Sequence, residues 1–269
     1  MKDLFSVSGK IVIVTGGLGQ LGRQFAQTLA ERGARVVVMD RRIPAEAAQN
    51  AFPETHASIL FIEADVTNRA SLEQALATIK SKWGPPEILV NNAGLDSPPS
   101  APPAETGPFE DYPESSWDMV MAVNLKGVFL CCQVFGGAMA KAGRGSIINI
   151  SSIYGVVSPD QRLYEFRRKD GNTFFKPVAY SASKSGILNL TRYLSTYWAE
   201  QGVRVNTLTF AGVFNNQPAE FLKGYNAKVP LGRMANPDEY NGAIVFLSSD
   251  ASSYMTGSNM VLDGGFTAW

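Results

Sequence analysis

Tyr180-Ser-Ala-Ser-Lys184 places a phenol and an ammonium one helical turn apart, on the same helix face. A free phenol ionises at about pH 10, too high for a base at neutral pH, and a neighbouring positive charge stabilises its phenolate. The pair is a candidate general acid/base for a carbonyl/alcohol couple. Alone, the Tyr-x-x-x-Lys spacing is common by chance and equally describes a surface pair. Ser152 closes the apolar run SIINIS, where its hydroxyl can polarise a carbonyl oxygen. Asn124 lies among apolar residues in MVMAVNLKGVFL; an amide there either has a function or is a satisfied buried group.

A nucleotide site is suggested nearer the N-terminus. KIVIVT runs directly into Thr15-Gly16-Gly17-Leu18-Gly19-Gln20-Leu21-Gly22, and a helical pattern follows. Glycines between strand and helix let the backbone turn tightly and approach a pyrophosphate, and the helix N-terminus offers free N–H groups. Asp40 ends the second strand-like run, 18 residues beyond Gly22. A carboxylate there accepts hydrogen bonds from an adenosine ribose and repels a 2′-phosphate, which favours NAD over NADP. It also reads as a turn or cap residue, and Arg41 and Arg42, which follow it, would welcome a phosphate. Asp65-Val66, after the third run, is placed to reach an adenine edge or to make a simple turn.

The elements that must carry these residues alternate. KIVIVT (10–15), ARVVVM (34–39), ILFIEA (59–64), EILVNN (87–92), SIINIS (146–151), VRVNTL (203–208) and MVLD (260–263) are nearly uninterrupted apolar runs, as in strands buried on both faces. Helical patterns at 21–33 and 71–84 end on Gly33 and Gly84, expected C-cap positions. Strand, helix, strand in repetition predicts an α/β fold: a doubly wound parallel sheet of about seven strands in a single domain, 1–269. With 45% hydrophobic and 18% charged residues, zero formal net charge and a pI of about 6.6, the composition makes no electrostatic case for nucleic acid or membrane binding. Cys131-Cys132 has neither disulfide nor metal spacing, and a single histidine, His56, in a polar connection, reads as a surface residue and leaves no His-based triad or metal cluster. No leader or spanning segment is visible before the glycine loop, so a cytoplasmic location is expected.

Together these residues resemble the short-chain dehydrogenase/reductase family. TGGLGQLG, Asp40, Asp65-Val66, Asn91-Asn92-Ala93-Gly94, Asn124, INISS, YSASK, RVN and the late DGG occur in the family's order, over nearly the whole chain. The resemblance implies a Rossmann-like sheet and a nicotinamide cofactor, NAD given Asp40. It implies Tyr180 as acid/base, Lys184 as the group that lowers its pKa and holds the nicotinamide ribose, Ser152 as the residue that orients the substrate oxygen, and Asn124 as support for a proton relay. Cofactor contacts are implied for Gly16, Gly19, Leu21, Asp40, Arg41, Asp65, Val66, Asn92, Ala93, Gly94, Tyr180 and Lys184. The glycine spacing, TGxxGxxG, is atypical of the compact branch, and Gln20 stands where that branch has glycine, so a side-chain contact near the cofactor is expected. After strand six, Phe210-Ala211-Gly212 replaces the usual Pro-Gly pair, and Val213 and Asn215 take the positions that would meet the carboxamide. A homodimer or homotetramer through the helices holding 114–141 and 178–200 is implied as well.

Two excursions depart from the strand–helix rhythm. Residues 95–113 contain six prolines and predict a stiff, extended loop. Residues 158–177 lengthen the path from Ser152 to Tyr180 to 28 residues, roughly twice the family's usual spacing. They bring Arg162, Arg167, Arg168, Lys169 and Lys176 with Tyr164, Phe166, Phe174 and Phe175. Arginine forks suit carboxylate or phosphate and rings stack on sugars, so Ser152, Tyr180, Arg162, Arg167 and Arg168 are candidate substrate contacts, with 95–113 as the opposite wall. A lid or an oligomer contact explains the insertion equally. MTGSNMVLDGGFTAW is similar to the ends of sugar-modifying members. The expected activity is NAD-dependent interconversion of a secondary alcohol and a ketone on a polar, anionic, sugar-like molecule. The alternatives are a 3-oxoacyl-thioester or general ketone reductase, and a nicotinamide-nucleotide-sensing binding protein.

Overall fold

The computed structural model describes residues 3–44, 46, 50–52, 55–97, 102–168 and 173–269. Seven parallel strands form one sheet in the order β3-β2-β1-β4-β5-β6-β7. They are β1 (Ile11–Thr15), β2 (Arg35–Asp40), β3 (Ile59–Glu63), β4 (Ile88–Asn91), β5 (Gly145–Ser152), β6 (Val203–Phe210) and β7 (Asn259–Leu262). Each apolar run of the sequence is a strand. The order reverses between β1 and β4, and open α/β sheets bind ligands at the carboxyl ends of such neighbours.

The uninterrupted runs follow from a sheet covered on both faces. Val12 and Val14 of β1 face one core with Val36, Val38, Ile148 and Leu208. Ile13 faces the other core with Val37, Leu89, Ile147 and Val205. The first core is closed by α1 (Gln20–Glu31) and, later in the chain, by a helix at Asn241–Ser248. The second is closed by α2 (Arg69–Lys82), α3 (Glu114–Ala142) and α4 (Val178–Tyr197). α5 (Ala219–Asn226) lies outside these layers and precedes that Asn241–Ser248 helix, α6. Gly33 and Gly84 take positive φ (83° and 104°) just beyond α1 and α2, as helix-ending glycines do.

α3 is long and apolar enough to cross a membrane by composition, yet more than half of its most apolar window is buried, so it is a core helix. It widens into π turns at Ala122–Lys126 and Cys132–Gly136. The first carries Asn124, and such bulges gather at functional sites. Cys131 and Cys132 are buried free thiols, and burial raises both pKa values, Cys132 to about 12.

The loop 95–113 is not the extended excursion that its prolines predict. It coils into 3₁₀ turns at Pro103–Thr106 and Phe109–Asp111. Proline tolerates the first turn of a helix because its missing N–H has no partner there anyway. The buried Glu105 holds the coil together, accepting from Ser97 (2.7 Å) and Tyr112 (3.5 Å). Pro98, Pro99 and Lys169, and the side chain of His56, lie outside the described residues.

Candidate active site

The glycine loop is shaped by close contacts. Gly16 has φ 61°, and a Cβ there would lie 2.8 Å from Ala93 Cα; at Gly22 it would lie 2.2 Å from the Gly16 carbonyl oxygen. β1, α1 and the loop after β4 therefore meet more closely than any side chain allows. Thr15, whose part was not legible in the sequence, fastens this junction. Its hydroxyl accepts from the backbone N–H groups of Asn92 and Ala93 (3.0 Å each), and Asn92 Nδ2 donates to the Thr15 and Gly16 carbonyls (3.1 Å each).

Beside the loop is a cleft of about 630 Å³. Gly16, Gly19, Gln20 and Leu21 bound it on one side, Asp40, Arg41, Asp65 and Val66 on another, and Asn92–Gly94 at the floor. Gly19, the N-cap of α1, has no side chain to cap the helix, which leaves the first-turn N–H groups for an anion. Asp40 Oδ2 accepts from Leu18 N (3.1 Å) and Oδ1 from Arg41 N (2.8 Å), so its carboxylate is fixed on the cleft wall. A dinucleotide fits this donor set: helix N–H groups for phosphate and a carboxylate for ribose. Asp65 makes the turn that was its alternative reading, accepting from Thr67 N (2.8 Å) and Oγ1 (2.7 Å), while still lining the cleft. Gln20 reaches across the cleft edge, where Nε2 donates to the Phe214 carbonyl (3.0 Å). Val213 lines the neighbouring cavity, whereas Asn215 is exposed; its N–H is turned to Gln217 Oε1 (2.8 Å), because that side chain organises the turn after β6.

The neighbouring cavity, about 550 Å³, adjoins the cleft along Leu21, Asn92, Gly94 and Leu95. Ser152, Tyr180 and Lys184 all line it. Ser152 ends β5, its Oγ accepts from Tyr154 N (3.2 Å), and it lies close enough to the Tyr180 phenol to favour the phenolate. Lys184 is 5% exposed and donates Nζ to the Ile150 carbonyl (3.0 Å), with Nζ 5.8 Å from the Tyr180 ring centroid. Burial lowers Lys184 to about 8. Tyr180 is not lowered as expected of a phenol beside an ammonium. Burial pushes it up to about 12 and Asp96 pushes the same way; the neighbouring Ser152 hydroxyl opposes them. Asn124 is completely buried, and its amide exchanges two hydrogen bonds with the Leu95 backbone (2.7 and 2.8 Å) and donates to Ser183 (3.1 Å). It clamps the loop after β4 to the helix that carries Tyr180.

The insertion roofs this cavity. A 3₁₀ helix, Gln161–Arg167, packs Leu163 and Tyr164 into a small third core with Tyr154, Tyr225 and Met234. The phenols of Tyr154 and Tyr164 interact there, and burial raises both, Tyr164 to about 12 and Tyr154 beyond it. Leu95 and Asp96 of the loop 95–113 line the cavity with the insertion. The loop backs the insertion through Phe175 N to the Thr106 carbonyl (2.8 Å) and the ion pair between Lys176 and Asp96. α5 also faces the insertion, with Phe221 against Tyr164 at 5.6 Å. Of the three arginines expected here, only Arg167 lines the cavity. Arg162 is turned outward onto both carboxylate oxygens of Asp160 (2.9 and 2.8 Å). Arg168 ties the insertion together through the Phe174 and Gln161 carbonyls (2.8 and 3.0 Å). Lys176 Nζ lies 5.6 Å from the Tyr180 ring centroid, so two lysine ammonium groups lie within 6 Å of that ring.

Residues 17–267 match a family model described as enoyl-(acyl carrier protein) reductase. The chain is a member of the short-chain dehydrogenase/reductase family. As such it is an oxidoreductase of CH–OH groups that uses a nicotinamide cofactor. It is 34% identical to a galactitol 2-dehydrogenase of Rhizobium johnstonii, with 100% of this chain and 99% of that one covered. It is 33% identical to a D-threitol dehydrogenase of Mycolicibacterium smegmatis, covering 98% and 95%. Among solved structures, a short-chain dehydrogenase from Leptospira borgpetersenii with bound NAD+ is 34% identical and superposes with a TM-score of 0.85 over 99% of this chain and 96% of that one.

Proposed function

We propose that this short-chain dehydrogenase interconverts a secondary hydroxyl and a ketone on a polyol or sugar-like substrate, with NAD as its cofactor. The observation that carries the reading is the placement of Tyr180, Ser152 and Lys184 around one cavity that adjoins the nucleotide cleft. Bound in the cleft, the nicotinamide would accept or supply the hydride. Tyr180 takes the hydroxyl proton as the carbonyl forms and returns it in the reverse direction. Ser152 hydrogen-bonds the same oxygen, and the buried Lys184 ammonium stabilises the phenolate. Asn124 acts by holding Leu95 and hence the wall between the two spaces. The polyol dehydrogenases among the relatives support a hydroxyl-rich substrate. So does the polar lining of the cavity, where Ser152, Asp96, Lys176 and Gln217 offer hydrogen bonds to hydroxyl groups.

NADH formation from NAD with matched alditols, sugar acids, sugar phosphates and simple alcohols, and ketone reduction with acyl thioesters, test the reading. Turnover confined to acyl thioesters would replace it with a thioester reductase, and cofactor binding without any turnover would point to a nucleotide sensor.

The preference for NAD rests on Asp40, whose fixed carboxylate faces the cleft. Asp40→Ser is expected to raise kcat/KM for NADP relative to NAD at least about tenfold, equivalent to ~1.4 kcal/mol of relieved repulsion. An unchanged ratio would leave Arg41 as the residue that decides, and the NAD assignment would fall.

The exposed Trp117 and Phe129 of α3 and Tyr193 and Tyr197 of α4 support a homodimer or homotetramer formed through these helices. Ultracentrifugation that returned only monomer at micromolar concentration would remove that assignment. A cytoplasmic setting accords with buried, reduced cysteines.

A further inference from the structure

We infer that Arg167 receives an oxyanion, a carboxylate or a phosphate ester, at the end of the substrate remote from the reacting hydroxyl, so that the natural substrate is an acidic sugar. This rests on the dehydrogenase reading above and narrows its substrate class.

Three arginines lie within seven residues of the insertion, and two are engaged by partners of the protein's own. Arg162 is bidentate on Asp160, and Arg168 donates to two carbonyls. Arg167 differs. Its guanidinium lies 4.2 Å above the Phe174 ring centroid, and no carboxylate or carbonyl among the described residues accepts from it. Phe174 packs on Tyr164 (5.4 Å), which packs on Phe221 of α5 (5.6 Å). The stack holds the guanidinium plane at the cavity mouth while its N–H edge stays free. A stacked guanidinium loses little side-chain freedom when it forms a bidentate pair with a planar or tetrahedral oxyanion.

The charge around the cavity agrees with this. Its ionised lining groups are Arg167, Lys176 and Lys184 against Asp96 alone, and Asp96 is already paired with Lys176. A neutral alditol gains nothing from this surplus of positive charge, whereas an anionic sugar is drawn in and oriented. Held at the mouth by Arg167, an extended sugar chain would present an inner secondary hydroxyl to Tyr180 and Ser152 deeper in the cavity.

The test compares wild type, Arg167→Ala, Arg167→Lys and Arg162→Ala on a C5–C6 alditol, aldonate and sugar phosphate of matched configuration. Arg162→Ala is the control, since it removes the same charge from the same insertion away from the cavity. Wild type is expected to prefer one acidic class over the alditol at least about tenfold. Arg167→Ala should lower kcat/KM for that class by about 10–100-fold, mainly through KM, as loss of a charge-assisted hydrogen-bonded pair does. Arg167→Lys should recover part of the loss. The alditol should be indifferent to all three variants, and Arg162→Ala should change nothing. The acidic class that responds identifies the oxyanion as carboxylate or phosphate. Calorimetry on the Tyr180→Phe holoenzyme gives a second reading without turnover: the acid should bind more weakly after Arg167→Ala and at higher salt. Turnover of alditols in preference to both acids would overturn the oxyanion assignment and keep the dehydrogenase reading. Equal losses on acid and alditol would do the same. Turnover of none of the carbohydrates, with no Arg167-dependent binding, would overturn both.

Discussion

Tyr180→Phe is expected to lower kcat about a thousandfold while cofactor affinity and thermal stability stay close to wild type. The substitution removes one oxygen and keeps the ring that packs beneath the insertion. A positioned acid/base contributes typically ~10²–10⁴-fold, and Tyr180 lines the cavity together with Ser152 and Lys184. The same argument sets a pH dependence. Burial holds the Tyr180 phenol up at about 12, so the phenolate is scarce at neutral pH. Alcohol oxidation in the wild type should therefore quicken as pH rises, and ketone reduction, which needs the phenol protonated, should not. Steady-state kinetics in both directions from pH 6 to 10, with cofactor titration by fluorescence, check both statements. A variant that kept more than a tenth of wild-type kcat would exclude Tyr180 as the acid/base.

Lys184→Met is expected to make a more stable and nearly inactive protein. Lys184 is almost fully buried, and burial alone brings its pKa from 10.5 to about 8. At ~1.36 kcal/mol per pH unit, the charged form is disfavoured by roughly 3 kcal/mol in the folded chain. The sign follows from linkage. Below about pH 8 both folded and unfolded chains hold the proton, and the folded state bears the whole penalty. Between about 8 and 10.5 the unfolded chain holds more protons, so stability rises with pH and the penalty is relieved. Tyr180 acts oppositely from 10 to about 12, where the folded chain holds the extra proton and stability falls as pH rises. Methionine fills similar space without charge, at the loss of the hydrogen bond to the Ile150 carbonyl. A gain on the order of 1–3 kcal/mol at pH 7, shrinking towards pH 10.5, is expected after that loss. Turnover should fall about 100-fold or more, because the phenolate loses its nearest buried cation. Thermal denaturation of the cofactor-free proteins at pH 7 and 10 measures the difference, and a variant less stable than wild type at pH 7 would contradict this account.

The fold was legible because its code is local. Runs such as IVIVT and RVVVM are apolar at every position only when both faces of a strand are covered, and that alone implies a parallel sheet under helices. Gly16, Gly22 and the Tyr180–Lys184 spacing were legible for a similar reason: a close backbone approach admits only glycine, and one helical turn aligns residues four apart. The proline-rich loop departs from its expected extended form because proline, which breaks helix interiors, fits the first positions of 3₁₀ turns, and the buried Glu105 organises the coil from within.

What the sequence by itself determined is the α/β architecture, the glycine loop between β1 and α1, and the grouping of Ser152, Tyr180 and Lys184 around one cavity. What only the tertiary structure decided is how the long-range pairs fall. Asp96 meets Lys176 across 80 residues, Gln20 reaches Phe214 across 194, and one arginine of three turns to the cavity. It also decided that burial, and not the neighbouring ammonium, dominates the Tyr180 phenol. The physical reason is that hydrophobic periodicity and steric limits act between residues a few positions apart. Ion pairing, desolvation and the direction of a long side chain depend instead on which loops pack together, and no local pattern encodes that.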